Sequence, residues 1–234
     1  MYILFNLLAP SCFSIPRSLV SHESRGGTRS RRACPGGGGY PPGDAEDWQD
    51  VEVVGFLDDD ATLHGKVLLG HPVLGPISNL GKTPHDSIVV AIGKNETRRK
   101  IAARLVEQGE RLVAAVHPRA VLGTNVSVGA GAMICAGVVV NTASRIGSCA
   151  ILNTGCTVDH HNVIGDYAHI APGAHLGGDV TVGAGAFVCI GAAVASQRTV
   201  GAWSTVGAGA AVIRDVPDAV TVVGVPAAPL RRKA

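Results

Sequence analysis

Between positions 153 and 175 the chain gathers its reactive side chains: Asn153, Asp159, His160, His161, Asn162, His169 and His175. A neutral imidazole is well suited to take a proton from an attacking group near pH 7. An acid beside it, as Asp159 is beside His160, can orient such a base. The pattern points to proton transfer rather than thiol chemistry. The six cysteines, Cys12, Cys34, Cys135, Cys149, Cys156 and Cys189, form no CxxC. They read as free thiols of a reducing compartment, so a cytoplasmic location is expected and a disulfide frame or zinc site is not.

A hexad series must position these residues. From Leu122 to Val212 every sixth residue is Leu, Ile or Val, sixteen times without a break. Glycine often follows the aliphatic residue, as at Gly123, Gly129, Gly147 and Gly165, and a small residue often stands two before it. Neither a helix nor an alternating strand has this period; a short fixed repeat signals a solenoid, here a parallel β-helix. Three hexads make one triangular coil. The aliphatic side chain fills the interior, and glycine lets the backbone turn where a Cβ would crowd. Sixteen hexads give about five coils, or roughly 25 Å of rod at a strand spacing of ~4.8 Å. His160 follows the inward Val158 by two and His169 precedes the inward Ile170 by one, so both lie off the core.

Upstream, the pattern changes to α/β. Val51–Leu57 reads as a buried strand ending in Asp58, Asp59 and Asp60, and Ser87–Ile92 as a second strand closed by Gly93. Asn95–Gln108 has helical spacing, with Ile101 and Leu105 on one side, and Leu112–Val116 reads as a third strand. Together they predict a small, incomplete parallel sheet. Tyr2–Leu8 could supply its opening strand, but no glycine-rich turn and helix follow. The Ser/Arg/Gly/Pro-rich stretch from about 10 to 45, with Gly36–Gly39, reads as poorly ordered linker. The expected divisions are an atypical segment 1–50, a Rossmann-like domain 51–117, a β-helix 118–213 and a tail 214–234.

A net charge of +2 over 234 residues implies no nucleic-acid or acidic-membrane partner. The basic cluster Arg25–Arg32 reads as a solvated tail. No apolar run has the length of a membrane span.

The hexads, the FLDDD segment (Phe56–Asp60), AIGKN (Ala91–Asn95), the NTG…DHH stretch from Asn153 to His161 and the VVGVPAAPLRR ending (Val222–Arg232) together resemble one family. It is the sugar O-acyltransferase family of hexapeptide-repeat enzymes, which includes sialic acid O-acetyltransferases and bacterial nucleotide-amino-sugar N-acetyltransferases. The resemblance covers about residues 51 to 232. It implies a left-handed β-helix, a homotrimer, acetyl-CoA as acyl donor, no metal, and acetyl transfer to an amino or hydroxyl group of a nucleotide-linked sugar.

By the same resemblance His160 is the general base, with Asp159, His161 and Asn153 beside it. The family places a second acid where His161 stands, so the activation of His160 departs from its pattern. His169 matches the histidine near the acetyl-CoA thioester. Ile190 and Ala208 match positions lining the CoA cleft, and Gly178 would leave room there for the pantetheine arm. Asp58, Asp59 and Gly93 match positions that hold the nucleotide. The family's GxGGH-like loop after the first strand is absent, and recognisable family sequence begins abruptly near Asp50.

Plainer readings stand beside these. His175 reads as a solvated surface histidine, His117 as structural, the three aspartates as a turn, and Asn153 as a corner residue. Two other functions fit a rod of this kind. One is an inactive or structural β-helix with a defective substrate domain. The other is a γ-carbonic-anhydrase-like metalloenzyme, although His160, His161, His169 and His175 lack the spacing of its zinc histidines.

Overall fold

The computed structural model describes residues 2–6, 14–16, 48–50 and 52–230. Its main body is a parallel β-helix. Two-residue strands pair with the strand eighteen residues on, as Ser127↔Arg145, Met133↔Ile151 and Val139↔Thr157. Three faces result. The first carries Ile151–Leu152, His169–Ile170 and Phe187–Val188, the second Thr157–Val158 and His175–Leu176, and the third Arg145–Ile146 and Val163–Ile164. The hexad aliphatics from Val128 to Val212 are buried in one continuous column with Ala132, Ala150, Ala168 and Ala186. Burying each such Val, Leu or Ile stabilises by ~1.5–3 kcal/mol, and every coil covers the one below.

The rod extends beyond the hexad series at both ends. Ala115–Val116 pairs with Met133–Ile134 and begins the first face, and Thr221–Val223 pairs with Thr205–Val206 near its end. The third expected strand of the α/β sheet is therefore divided: Leu112 bridges Ile88, while Ala115–Val116 belongs to the rod.

Turning and close approach are separate jobs in this backbone. The left-handed residues recur every six positions from Asn125 through Gly209, and include Ala143, Cys149, His161, Tyr167 and Asp179. The glycines that follow the aliphatic residue do not have this conformation. They let the next coil come close. A Cβ on Gly165 would stand 2.6 Å from the backbone nitrogen of Ala184, and one on Gly147 2.6 Å from that of Asp166. The corner between the third and first faces is glycine at Gly129, Gly147, Gly165, Gly183 and Gly201, which makes it a tight one.

The small sheet has the order Glu52–Leu57, Tyr2–Asn6, Ser87–Val90. Its outer strands run parallel to each other, as expected, but Tyr2–Asn6 lies between them and antiparallel to both. A parallel opening strand needs a crossover helix, and the sequence after Asn6 offers no helical pattern, so this strand enters from the opposite direction. The expectation of poor order from about 10 to 45 falls outside the described residues, except for Ser14–Pro16, which pairs with Trp48–Asp50. The helix Asn95–Glu107 packs Ala102 and Leu105 inward. Among the described residues no helix is long and apolar enough to cross a membrane.

Candidate functional site

His160 lies on the corner between the second and third faces, exposed, in the turn that follows Thr157–Val158. This corner is fixed from inside. The buried Asn162 donates from Nδ2 to the Asp159 carbonyl (2.6 Å) and the Gly177 carbonyl (2.9 Å), and its Oδ1 accepts from Val180 N–H. Ser144 Oγ donates to the same Asp159 carbonyl. A polar pair at inward positions usually held by alanine thus holds the histidine turn in one shape.

The His160 ring reaches up over the next coil. A Cβ on Gly178 would lie 2.6 Å from His160 Nε2 and 3.1 Å from Nδ1, so the glycine is what gives the imidazole room. The space above Gly178, expected for pantetheine, is where the His160 imidazole lies. Its Nδ1 stands 3.0 Å from Nδ1 of His161, with the rings at 80°. One nitrogen must donate and the other accept. With His161 accepting, Nε2 of His160 carries the lone pair that can take a proton.

Asp159 does not reach that ring. Its Oδ1 accepts from Asn141 Nδ2 and from the backbone N–H of His160, both at 2.8 Å, and these bonds hold its carboxyl below the usual range. It fixes the turn, and the imidazole is oriented by His161.

His169 lies on the first face, half-buried. Asn153 Nδ2 approaches its Nε2 at 3.3 Å, while Asn153 Oδ1 accepts from Thr154 N–H, which sets the direction of the amide. Phe187 packs against the ring with centroids 5.0 Å apart. Burial, aided by the nearby Arg98 charge and opposed by a bond to the Gly93 carbonyl, pushes the His169 pKa down to about 4. It is neutral near pH 7.

Gly93 therefore meets His169 rather than standing apart in the α/β domain. Arg98, unremarked in the sequence, holds this junction. It is fully buried and has no carboxylate partner among the described residues. Its guanidinium donates to the carbonyls of Ile92, Gly93, Cys149 and Tyr167, and to Asn95 Oδ1. Burial lowers its pKa to about 10, so it stays charged near neutrality. Asn95 Nδ2 donates to the Gly185 carbonyl, and Arg99 lies over Trp203 at 5.2 Å. The helix thus stands along the glycine corner of the rod. A sequence signal existed: Arg98 precedes Ala102 by four and Leu105 by seven, which places it on the helix's buried stripe.

Ile190 and Ala208 differ by eighteen and stack on consecutive coils, at the corner between the first and second faces. Both are exposed, Ile190 by 61%. Asp58 and Asp59 follow the Glu52–Leu57 strand and Gly93 follows Ser87–Val90, so both groups lie at the same carboxyl edge of the sheet. The aspartates also build the turn: Asp58 accepts from Asp60 N–H, Asp59 from Ile77 N–H, and Asp60 from Thr62 N–H. A cleft of about 430 Å³ opens beside Asp59, lined by Ile77, Ser78, Arg104 and Gln108 but not by Gly93. His175 is exposed and pairs with Thr157 at 2.9 Å.

Residues 45–105 match the PglD N-terminal domain. The GDP-perosamine-bound and CoA-bound PerB from Caulobacter crescentus is 40% identical, over 75% of this chain and 84% of that one, with TM-score 0.70. The chain belongs to the hexapeptide-repeat nucleotide-sugar acetyltransferases. The acetyltransferase domain of PglB from Neisseria gonorrhoeae, solved with acetyl coenzyme A, is 38% identical to this acetyltransferase, covering 75% of it and 85% of that domain, with TM-score 0.72. WeeI from Acinetobacter baumannii is 32% identical over 75% of this acetyltransferase and 85% of that chain, with TM-score 0.69. No curated protein matches it in sequence.

Proposed function

We propose that this chain transfers the acetyl group of acetyl-CoA to an amino group of a nucleotide-linked sugar, in a site shared between two copies of itself. The amine attacks the thioester carbon, His160 Nε2 takes the amine proton, and the C–S bond breaks to release CoA as thiolate. His161 holds His160 in the tautomer that makes Nε2 the base. A backbone N–H at a coil corner is the donor for the oxyanion. Asp58, Asp59 and Gly93 present the nucleotide sugar from the carboxyl edge of the sheet. The choice of amine over hydroxyl rests on relatives that carry N-acetyltransferase names.

The observation that carries the shared site is geometric. His160 sits on the corner between the second and third faces, whereas Asn153, His169 and Phe187 sit on or beside the first face, across the prism. One chain cannot bring the base to the residues expected near the thioester. A cyclic homotrimer places the corner of one rod against the first face of the next, with Ile190 and Ala208 lining the CoA groove between them. The sugar is then presented by the subunit that supplies His169, to the base of its neighbour.

The test is acetyl-CoA consumption with a panel of nucleotide-linked 4-amino sugars and the matching 4-hydroxy sugars. Transfer to an amino sugar is the expected result, and turnover confined to the hydroxy sugars would reverse the acceptor assignment.

A further inference from the structure

His161 and Asp179 occupy the same corner on consecutive coils, eighteen residues apart, and both have the left-handed turn conformation. The His160 ring, admitted by Gly178, leans up from the lower coil toward that level. One ligand atom from each of His160, His161 and Asp179 lies within 4.8 Å of the other two, and all three residues are exposed. The two Nδ1 atoms are 3.0 Å apart. Nitrogens sharing a tetrahedral zinc at bond lengths of ~2.0–2.1 Å stand about 3.3 Å apart, so only a small opening of the pair is needed. The other left-handed corner residues of this ladder, Asn125, Ala143 and Gln197, offer no imidazole, thiolate or carboxylate, which confines the set to one level of the rod.

We infer that His160, His161 and Asp179 form a binding site for a divalent transition metal such as zinc, and that its occupation switches off His160 as a base. Two imidazole nitrogens and one carboxylate are a zinc donor set, with a fourth position left for water. The site exists because His161 stands where the resemblance implies an acid; one imidazole with two carboxylates would favour harder ions. Coordination uses the lone pairs of both Nδ1 atoms. The proton His160 carries on Nδ1 in the metal-free pair is transferred through solvent to Nε2, so the coordinated ring stays neutral with its one proton on Nε2. That ring can donate from Nε2 but cannot accept a proton there. The second half of this inference rests on His160 being the base of acetyl transfer; the binding itself does not.

The experiment is calorimetric titration of the metal-free full chain with zinc chloride, with cobalt(II) absorption as a second readout. We expect one zinc per chain, intense tetrahedral cobalt bands, and at least about tenfold weaker binding in His161→Ala and Asp179→Asn. His175→Ala should bind as the wild type does. Because the three ligand residues are exposed, folding of each variant is checked by its circular dichroism. No stoichiometric zinc binding, or equal affinity in both ligand variants, overturns the site. Acetyl transfer is then measured with and without saturating zinc. Loss of at least about 90% of the rate supports the switch, and an unchanged rate in zinc-loaded enzyme overturns it. A chain inactive toward every acceptor would count against the acetyltransferase assignment, while the zinc isotherm would still decide the site.

Discussion

His160 and His169 are nine residues apart, half of an eighteen-residue coil, and so stand on opposite sides of the same rod. His161 and Asp179, a full coil apart, are stacked neighbours. The helical ruler therefore sorts the reactive residues into a corner group and a face group. Catalysis that uses both must draw them from two chains.

His161 stands where the resemblance implies an acid, beside the proposed base His160. A carboxylate there would accept from His160 Nδ1–H and also stabilise the imidazolium that forms during transfer, which a neutral imidazole does less well. His161→Glu is expected to raise kcat several-fold with KM for acetyl-CoA little changed. Steady-state kinetics on the purified variant checks this, and a fall in kcat would mean that the imidazole pair is itself the activating device.

Arg98 satisfies carbonyls on both the rod and the α/β unit. Arg98→Met removes the donors and leaves buried acceptors unpaired, at a cost of about 3 kcal/mol or more. Urea denaturation should show this loss. Because Gly93 and His169 meet beside Arg98, the same variant should also raise KM for the sugar substrate.

His169 gives stability a pH dependence. Burial holds its native pKa at about 4, below the unfolded value of ~6.5. Above ~6.5 neither state binds the proton and the contribution is fully present. As pH falls through the window from ~6.5 to about 4, the unfolded chain takes up a proton that the native one refuses, so the contribution is lost. Unfolding free energies at several pH values should show a shallower acid decline in His169→Gln than in the wild type.

The glycine corner is a packing device. Gly165→Ala would press a Cβ onto the backbone of the next coil and should destabilise the rod by ~1–3 kcal/mol. Thermal unfolding measures it. An unchanged Tm would show that the coils can part without loss.

Much of this was legible in the residues. The rod follows from the unbroken aliphatic series, because an inward side chain every sixth position has no other regular solution. Reading the series modulo eighteen would also have separated His160 from His169 and stacked His161 on Asp179. Other features depend on shape that no spacing encodes. The glycines after the aliphatic residue looked like turn residues, yet the left-handed turn falls two positions later, at residues as varied as His161, Tyr167 and Asp179. Arg98 showed only as a charge on an apolar stripe; its partners are backbone carbonyls, which every residue carries. The reversed Tyr2–Asn6 strand was signalled only indirectly, by the missing helical pattern after Asn6, since hydrophobic strands read alike in either direction.

The shared site is tested most directly by mixing two inactive chains. His160→Ala alone should lower turnover at least ~10²-fold with little change in CoA affinity, and His169→Ala should also be strongly impaired. Trimers assembled from both contain some sites with His160 from one chain and His169 from the other. Random one-to-one assembly should restore about a quarter of the wild-type sites. Recovery of activity on co-expression, absent when the two purified variants are mixed without subunit exchange, is the predicted result. Co-expressed trimers no more active than either parent would contradict a catalytic site built from two rods.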